Sequence, residues 1–239
     1  MFKIRCSKIG QIMTNDRSGK GMGQTAKTYC DTWIKQKIYG RIKEITSKYM
    51  DKGIQNEEEA IQMVSERYGL GWLEKNEIHF TNSHMTGTPD IINGDIIRDI
   101  KCSWDCFSFP LMETDLNKDY YWQLQGYMEL TGINESYVDY VLTNTPDEII
   151  TRQIGYEAGG YGITIEREQE IWDFHTYNTI PIQYRIKSFR VERNDDDIQS
   201  IYNRVDQCRN YIESVMSTLN MTFEQGQQET TTTATNTGE

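Results

Sequence analysis

Residues 86–101 read TGTPDIINGDIIRDIK, and this stretch constrains the chain more than any other. Asn93-Gly94, set between isoleucine pairs, is the strongest short-range signal for a two-residue β-turn. The segment is therefore expected to be a hairpin with one face buried. With Asn93 and Gly94 as the turn, Ile92 faces Asp95, Ile91 faces Ile96 and Thr88 faces Asp99. Side chains alternate between faces along a strand. Asp90, Asp99 and Lys101 then share one face, with Asp90 diagonal to Asp99 at about 7–8 Å. Asp95 abuts the turn and meets water. Pro89 is tolerated at the start of an edge strand.

Two carboxylates on a half-buried face repel each other and lose hydration. A hard divalent cation between them, Mg²⁺ or Mn²⁺, removes both costs. Lys101 leans toward the same spot, where it can hold a water or a phosphate oxygen. A helix expected from about Ile54 to Tyr68 supplies an independent check. Ile61, Val64 and Tyr68 make its inward stripe, and four residues before Ile61 stands Glu57, on that stripe. Glu58 and Glu59 are rotated toward water. The simpler reading of Glu57 is an exposed first-turn acid at the helix dipole.

The rest of the chain reads as one mixed α/β domain over residues 1–220. A polar, glycine-rich loop is expected at 14–25; it lacks the spacing of a phosphate-binding loop. A long helix is expected from Ala26 to about Met50, with Tyr29, Trp33, Ile34 and Ile38 on one stripe. A strand follows within 74–82. A helix over 119–131 ends at Gly132 and places Gln123 and Tyr127 four apart on one face. Strands fit 136–144 and 182–192. Asn194 is placed to cap a last helix running to about Leu219. Residues 146–180 carry no clear pattern. The threonine-rich stretch 221–239 is expected to be disordered.

The chain has 239 residues and a net charge of -11. That charge is unevenly spread: residues 1–50 hold eleven Lys/Arg against three acids, and the remainder is strongly acidic. A basic end on an acidic body implies a localised anion-binding face. No stretch is apolar enough to span a membrane, and residues 1–10 lack the apolar core of a secretory signal. A cytoplasmic protein is expected. Cys6, Cys30, Cys102, Cys106 and Cys208 are scattered with no CxxC pair, which argues for free thiols and against zinc or iron–sulfur sites. His79, His84 and His175 show no ligand spacing.

These motifs together resemble the PD-(D/E)xK nucleases. TPD (88–90) followed by RDIK (98–101) is similar to their central pattern. GIQNEEEA (53–60) and QLQGY (123–127) are similar to the helix and QxxxY motifs of the lambda exonuclease and YqaJ-like branch. The similarity covers about residues 50–150. It implies a restriction-endonuclease-like core, a central mixed sheet flanked by helices, and a phage-type recombination exonuclease. Such enzymes digest one strand of linear double-stranded DNA from its end, and the expected polarity is 5′→3′. The resemblance implies two Mg²⁺ held by Glu57, Asp90, Asp99 and the Ile100 carbonyl. Lys101 would activate or position the water, supported by Gln123 and Tyr127. Ser7, with Arg5 beside it, resembles the residue that binds a 5′-terminal phosphate. A single-strand annealing protein and a trimeric ring of subunits are the implied partners. The competing expectations are a structure- or sequence-specific endonuclease on the same core and a non-catalytic DNA-end or annealing-protein binding module. The four-cysteine cluster of CRISPR-adaptation nucleases is absent.

Overall fold

The structure is a computed structural model and describes residues 1–43 and 47–219. The expected disordered stretch 221–239 lies outside the described residues. Helices and strands follow in the order β1 (Ile4–Arg5), α1 (Ile9–Ile12), α2 (Gln24–Tyr39), α3 (Lys48–Gln55) and α4 (Glu57–Tyr68). Then come β2 (Phe80–Thr81), β3 (Met85–Gly87), β4 (Ile91–Asn93), β5 (Ile96–Cys102) and α5 (Lys118–Thr131). The chain closes with β6 (Glu135–Val141), α6 (Asp147–Ala158), α7 (Ile165–His175), β7 (Ile186–Glu192) and α8 (Asp195–Thr218).

The central sheet runs β4-β5-β6-β7, and a smaller sheet runs β1-β3-β2. β5 and β6 are parallel, whereas β4-β5 and β6-β7 are antiparallel. Parallel neighbours need a crossover, and α5 provides it. On one face of the sheet Ile97 and Val138 pack against Leu124 and Met128 of α5, together with α1, α2 and α8. On the other face Ile91, Ile100 and Val141 pack against Ala60, Ile61 and Val64 of α4. The expected mixed α/β sandwich is thus a sheet between helical layers. Each fully buried aliphatic side chain contributes about 1.5–3 kcal/mol, so the two cores dominate its stability. Gly126 fits only because it has no Cβ: one added there would lie 2.5 Å from Ile9 Cδ1 and 2.9 Å from Cys6 Sγ.

Several boundaries differ from expectation. The long helix is two helices, because α2 stops at Gly40, which adopts a left-handed φ of 59°. The next break is at Asn56, whose buried amide donates to Thr143 Oγ1 at 2.8 Å and to the Asn144 carbonyl at 2.5 Å. Long-range hydrogen bonding overrides local helix propensity there. Tyr68, read as inward, is 39% exposed. The strand expected at 74–82 is reduced to Phe80–Thr81. The unpatterned 146–180 holds α6 and α7, and the strand expected from 182 begins at Ile186 after a 3₁₀ turn. The 14–25 loop folds on Asp16, whose Oδ1 accepts from Ser18 N and Gly21 N. The Asn194 side chain caps α8 as expected, accepting from Asp196 N and Asp197 N.

The hairpin forms in a different register. Asn93 pairs with Ile96 and Ile91 with Arg98, so the turn is made by Gly94 and Asp95. Gly94 takes the positive φ, 59°, that such a turn demands. Continuing that register by one step sets Asp90 directly opposite Asp99 rather than diagonal to it. The shift is two residues in the pairing sum, so the acids keep a common face.

Candidate active site

Alternation along β5 sends Ile97, Asp99 and Lys101 toward α5 and sends Arg98 and Ile100 toward α4. Asp99 is 1% exposed. Its Oδ1 accepts a hydrogen bond from Gln123 Nε2 at 2.7 Å, and the same amide donates to the Tyr127 hydroxyl at 3.1 Å. The i, i+4 spacing on α5 therefore places both groups as expected. Asp99 Oδ2 has no aligned hydrogen-bond donor; its partner is the Lys101 ammonium, an ion pair at 2.5 Å. Lys101 Nζ also stands 5.0 Å from the centre of the Tyr120 ring. Asp90 Oδ2 accepts from the Ile100 N–H at 2.8 Å.

This face is electrostatically unbalanced. Burial, then the charge of Asp99, pushes the Asp90 carboxyl up to about 7, against the pull of Lys101 and the Ile100 N–H. Burial opposes the charge on Lys101, but the two aspartates outweigh it and hold the ammonium above its ordinary range. Paired in this way, Lys101 is a cation and a hydrogen-bond donor at the cavity. Burial and the nearby aspartates raise the Tyr127 hydroxyl, which stays protonated.

Glu57, Asp90, Ile100 and Lys101 line one cavity of about 550 Å³, walled also by Tyr49, Ile54, Trp104 and Tyr140. The expected tight carboxylate cage is not closed. Among the described residues no three His, Cys, Asp or Glu side chains gather closely enough to hold an ion. Glu57 stands at the start of α4, the helix packed on the other face of the sheet, and lines the cavity from there. There it pairs with Lys75 at 2.6 Å. Glu57 and Asp99 each pair with an ammonium, whereas Asp90 accepts from the Ile100 N–H. The donor set still suits a hard divalent cation: oxygen ligands, an excess of negative charge, and the Asp90 carboxyl raised by desolvation and by the charge of Asp99.

A second cavity, of about 300 Å³, holds Arg5, Ser7, His79, Thr86, Thr88 and Tyr127. Both N-terminal residues singled out by resemblance meet here, on β1 and the turn that follows it. His79 lies between two hydroxyls, its Nδ1 3.0 Å from Thr88 Oγ1 and its Nε2 2.5 Å from Thr86 Oγ1. Gly87 permits this closeness: a Cβ there would stand 2.7 Å from the Tyr127 ring. Sequence reasoning missed His79, Lys75, Tyr120 and Trp104. None of them carries a spacing signal, because each reaches its site through long-range packing.

Fold and site together define a nuclease-type mixed α/β domain with an acidic, lysine-bearing cavity at the edge of its sheet. No protein-family model matches the chain, and no curated protein matches it by sequence. Solved structures do. A phage-related exonuclease from Haemophilus somnus 129PT is similar with a TM-score of 0.74 and 28% identity, over 91% of this chain and 96% of that one. An alkaline exonuclease, LHK-Exo from Laribacter hongkongensis, has the same fold at a TM-score of 0.61 and 18% identity, over 91% of each chain. LHK-Exo in complex with dAMP matches at 0.62 and 19%, again over 91% of each. The chain is similar to these phage-related and alkaline exonucleases and shares their fold, in keeping with the lambda exonuclease and YqaJ-like resemblance of its motifs. Among the described residues no helix is long and apolar enough to cross a membrane.

Proposed function

We propose that the chain is a divalent-metal-dependent exonuclease that degrades one strand of linear double-stranded DNA from its 5′ end. The observation that carries this reading is that Asp90 and Lys101 line one cavity while the buried Asp99 pairs with Lys101 from behind it, one ammonium serving two carboxylates. Asp90, Asp99 and the Ile100 carbonyl would hold Mg²⁺ or Mn²⁺, with Glu57 as a further donor. A divalent ion bound there supplies Lewis-acid polarisation of the phosphate and a more acidic water. Gln123 keeps Asp99 oriented, and Tyr127 in turn supports Gln123. Lys101, already protonated, donates to a phosphate oxygen or to the attacking water and does not take its proton. Preorganised charge of this kind favours the more anionic transition state over the substrate.

Arg5, Ser7 and the second cavity are proposed to receive the 5′-terminal phosphate, an anion site beside the catalytic one. Residues 1–220 are proposed to act as one domain. By resemblance the enzyme would serve phage-type recombination, assemble as a trimeric ring and work with a single-strand annealing protein. Digestion of linear duplex with and without a 5′ phosphate, in Mg²⁺ and in chelator, tests the reading. Closed circular duplex in the same assay separates it from an endonuclease, which would nick the circle. Absence of any Mg²⁺-dependent cleavage would leave a non-catalytic DNA-end binding module.

A further inference from the structure

The wall of the catalytic cavity differs chemically from its floor. Tyr49 on α3 is 57% exposed, and Met50 and Ile54 beside it are 49% and 70% exposed. Single exposed apolar side chains are ordinary, whereas a contiguous group marks a binding surface. Here the group borders the carboxylates directly: Tyr49, Met50, Ile54 and Trp104 line the same cavity as Asp90 and Lys101.

The group is also organised. The Tyr49 and Trp104 rings meet edge to face, with centroids 5.1 Å apart. Lys48 Nζ stands 4.4 Å from the Trp104 centroid and 5.6 Å from that of Tyr49. From beneath, the fully buried Lys52 donates to the Trp104 carbonyl at 2.9 Å and to the Thr143 carbonyl at 2.8 Å, tying α3 to the ends of β5 and β6. Trp104 further rests edge-on against His175, 5.6 Å away. An indole anchored at its backbone and flank, with a cation over its ring, suits a ligand that offers both a flat π-surface and an anion.

We propose that Lys48, Tyr49 and Trp104 form a stacking platform for the unpaired nucleobases of the DNA strand that occupies the catalytic cavity. The inference rests on the nuclease reading above and names which part of the substrate this wall takes. A base stacks on the aromatic faces while Lys48 meets the adjoining phosphate. Every base has a π-face, so the platform tolerates sequence. The charge arrangement agrees: this basic-aromatic patch adjoins an acidic floor, on a chain that is anionic as a whole.

The test is a coupling cycle on binding, read in chelator so that hydrolysis does not intervene. Full-length protein is titrated with a 5′-phosphorylated single-stranded oligonucleotide, intact or with abasic sites at its two terminal positions, and Kd is followed by fluorescence anisotropy. Tyr49→Ala and Trp104→Ala are expected to weaken binding of the intact strand roughly tenfold, and Trp104→Phe to restore most of it. Removing the bases should weaken the wild type by a similar factor and leave the two alanine variants with no further loss. Equal losses from base removal in wild type and variants would overturn the platform, as would variants that bind like the wild type. Tyr49 is exposed, so its arm stands even if Trp104→Ala fails to fold. Cleavage of linear duplex in Mg²⁺ by the wild type decides the nuclease reading separately. Coupling without cleavage leaves the platform on a binding module; cleavage without coupling removes the platform alone.

Discussion

Arg98 and Asp99 are neighbours on β5, yet the two faces of the strand handle buried charge in opposite ways. On the α4 face Arg98 Nη1 meets both oxygens of Asp139, at 3.0 and 2.8 Å. Ser188 also donates to Asp139, and the guanidinium lies 4.5 Å from the Tyr137 ring and 5.6 Å from that of Tyr68. One anion meets one cation, and the geometry is complete. On the α5 face the buried Asp99 and the half-buried Asp90 share a single ammonium, and Asp90 is pushed up to about 7. A balanced buried pair holds the fold. An excess of one sign beside a cavity suits a site that takes up a cation, as proposed above. Desolvation makes the difference costly to maintain, which is why the imbalance points to function.

Breaking each side should give different kinds of damage. The largest effect is expected on the unbalanced face. Asp99→Asn or Lys101→Ala should lower Mg²⁺-dependent cleavage of linear duplex by roughly a thousandfold or more, with DNA binding largely retained for Lys101→Ala. Cleavage near the wild-type rate in both variants would move the site elsewhere. On the balanced face Asp139→Ala should instead cost stability, about 3–5 kcal/mol, because it strands a buried guanidinium. Urea unfolding measures this, and an unchanged midpoint would contradict the structural role given to the pair.

Lys52 sharpens the contrast, since its partners are carbonyls rather than carboxylates. Burial lowers it from 10.5 to about 8. Between those values the unfolded chain still binds a proton that the folded one has released. Stability therefore rises with pH from about 8 to 10.5 and is flat in this respect below 8. The rise should be on the order of 2–3 kcal/mol and disappear from Lys52→Met, as paired urea titrations at pH 8 and pH 10 would reveal. The smallest effect is expected from Asp90→Asn in chelator. Removing one of two repelling charges, while an amide oxygen still accepts from Ile100 N–H, should raise stability by about 1 kcal/mol. Added Mg²⁺ is expected to raise the melting temperature of the wild type and not that of this variant.

Much of this site was legible in short-range pattern. Alternation put Asp99 and Lys101 on one face, a four-residue step aligned Gln123 with Tyr127, and Asn194 announced the start of α8. These depend on the 2.0 and 3.6 periodicities of the backbone, which the chain carries locally. Helix breaks were not legible where the cause was remote, as at Asn56, whose amide is held by residues 87 and 88 positions away. The helices of 146–180 likewise escaped the local pattern, with Thr145 and Gln153 held to His175, 30 and 22 positions on.

The amino-acid order by itself determined which residues share a strand face or a helix stripe, because sterics within a few residues decide that. Only the tertiary structure decided that Asp90 stands opposite Asp99, that Glu57 arrives from the far layer and takes Lys75, and that Lys52 braces Trp104. Those choices were made by a one-residue shift in turn position and by charged and polar groups meeting an opposite charge or an acceptor. Both are settled by packing in three dimensions rather than by distance along the chain.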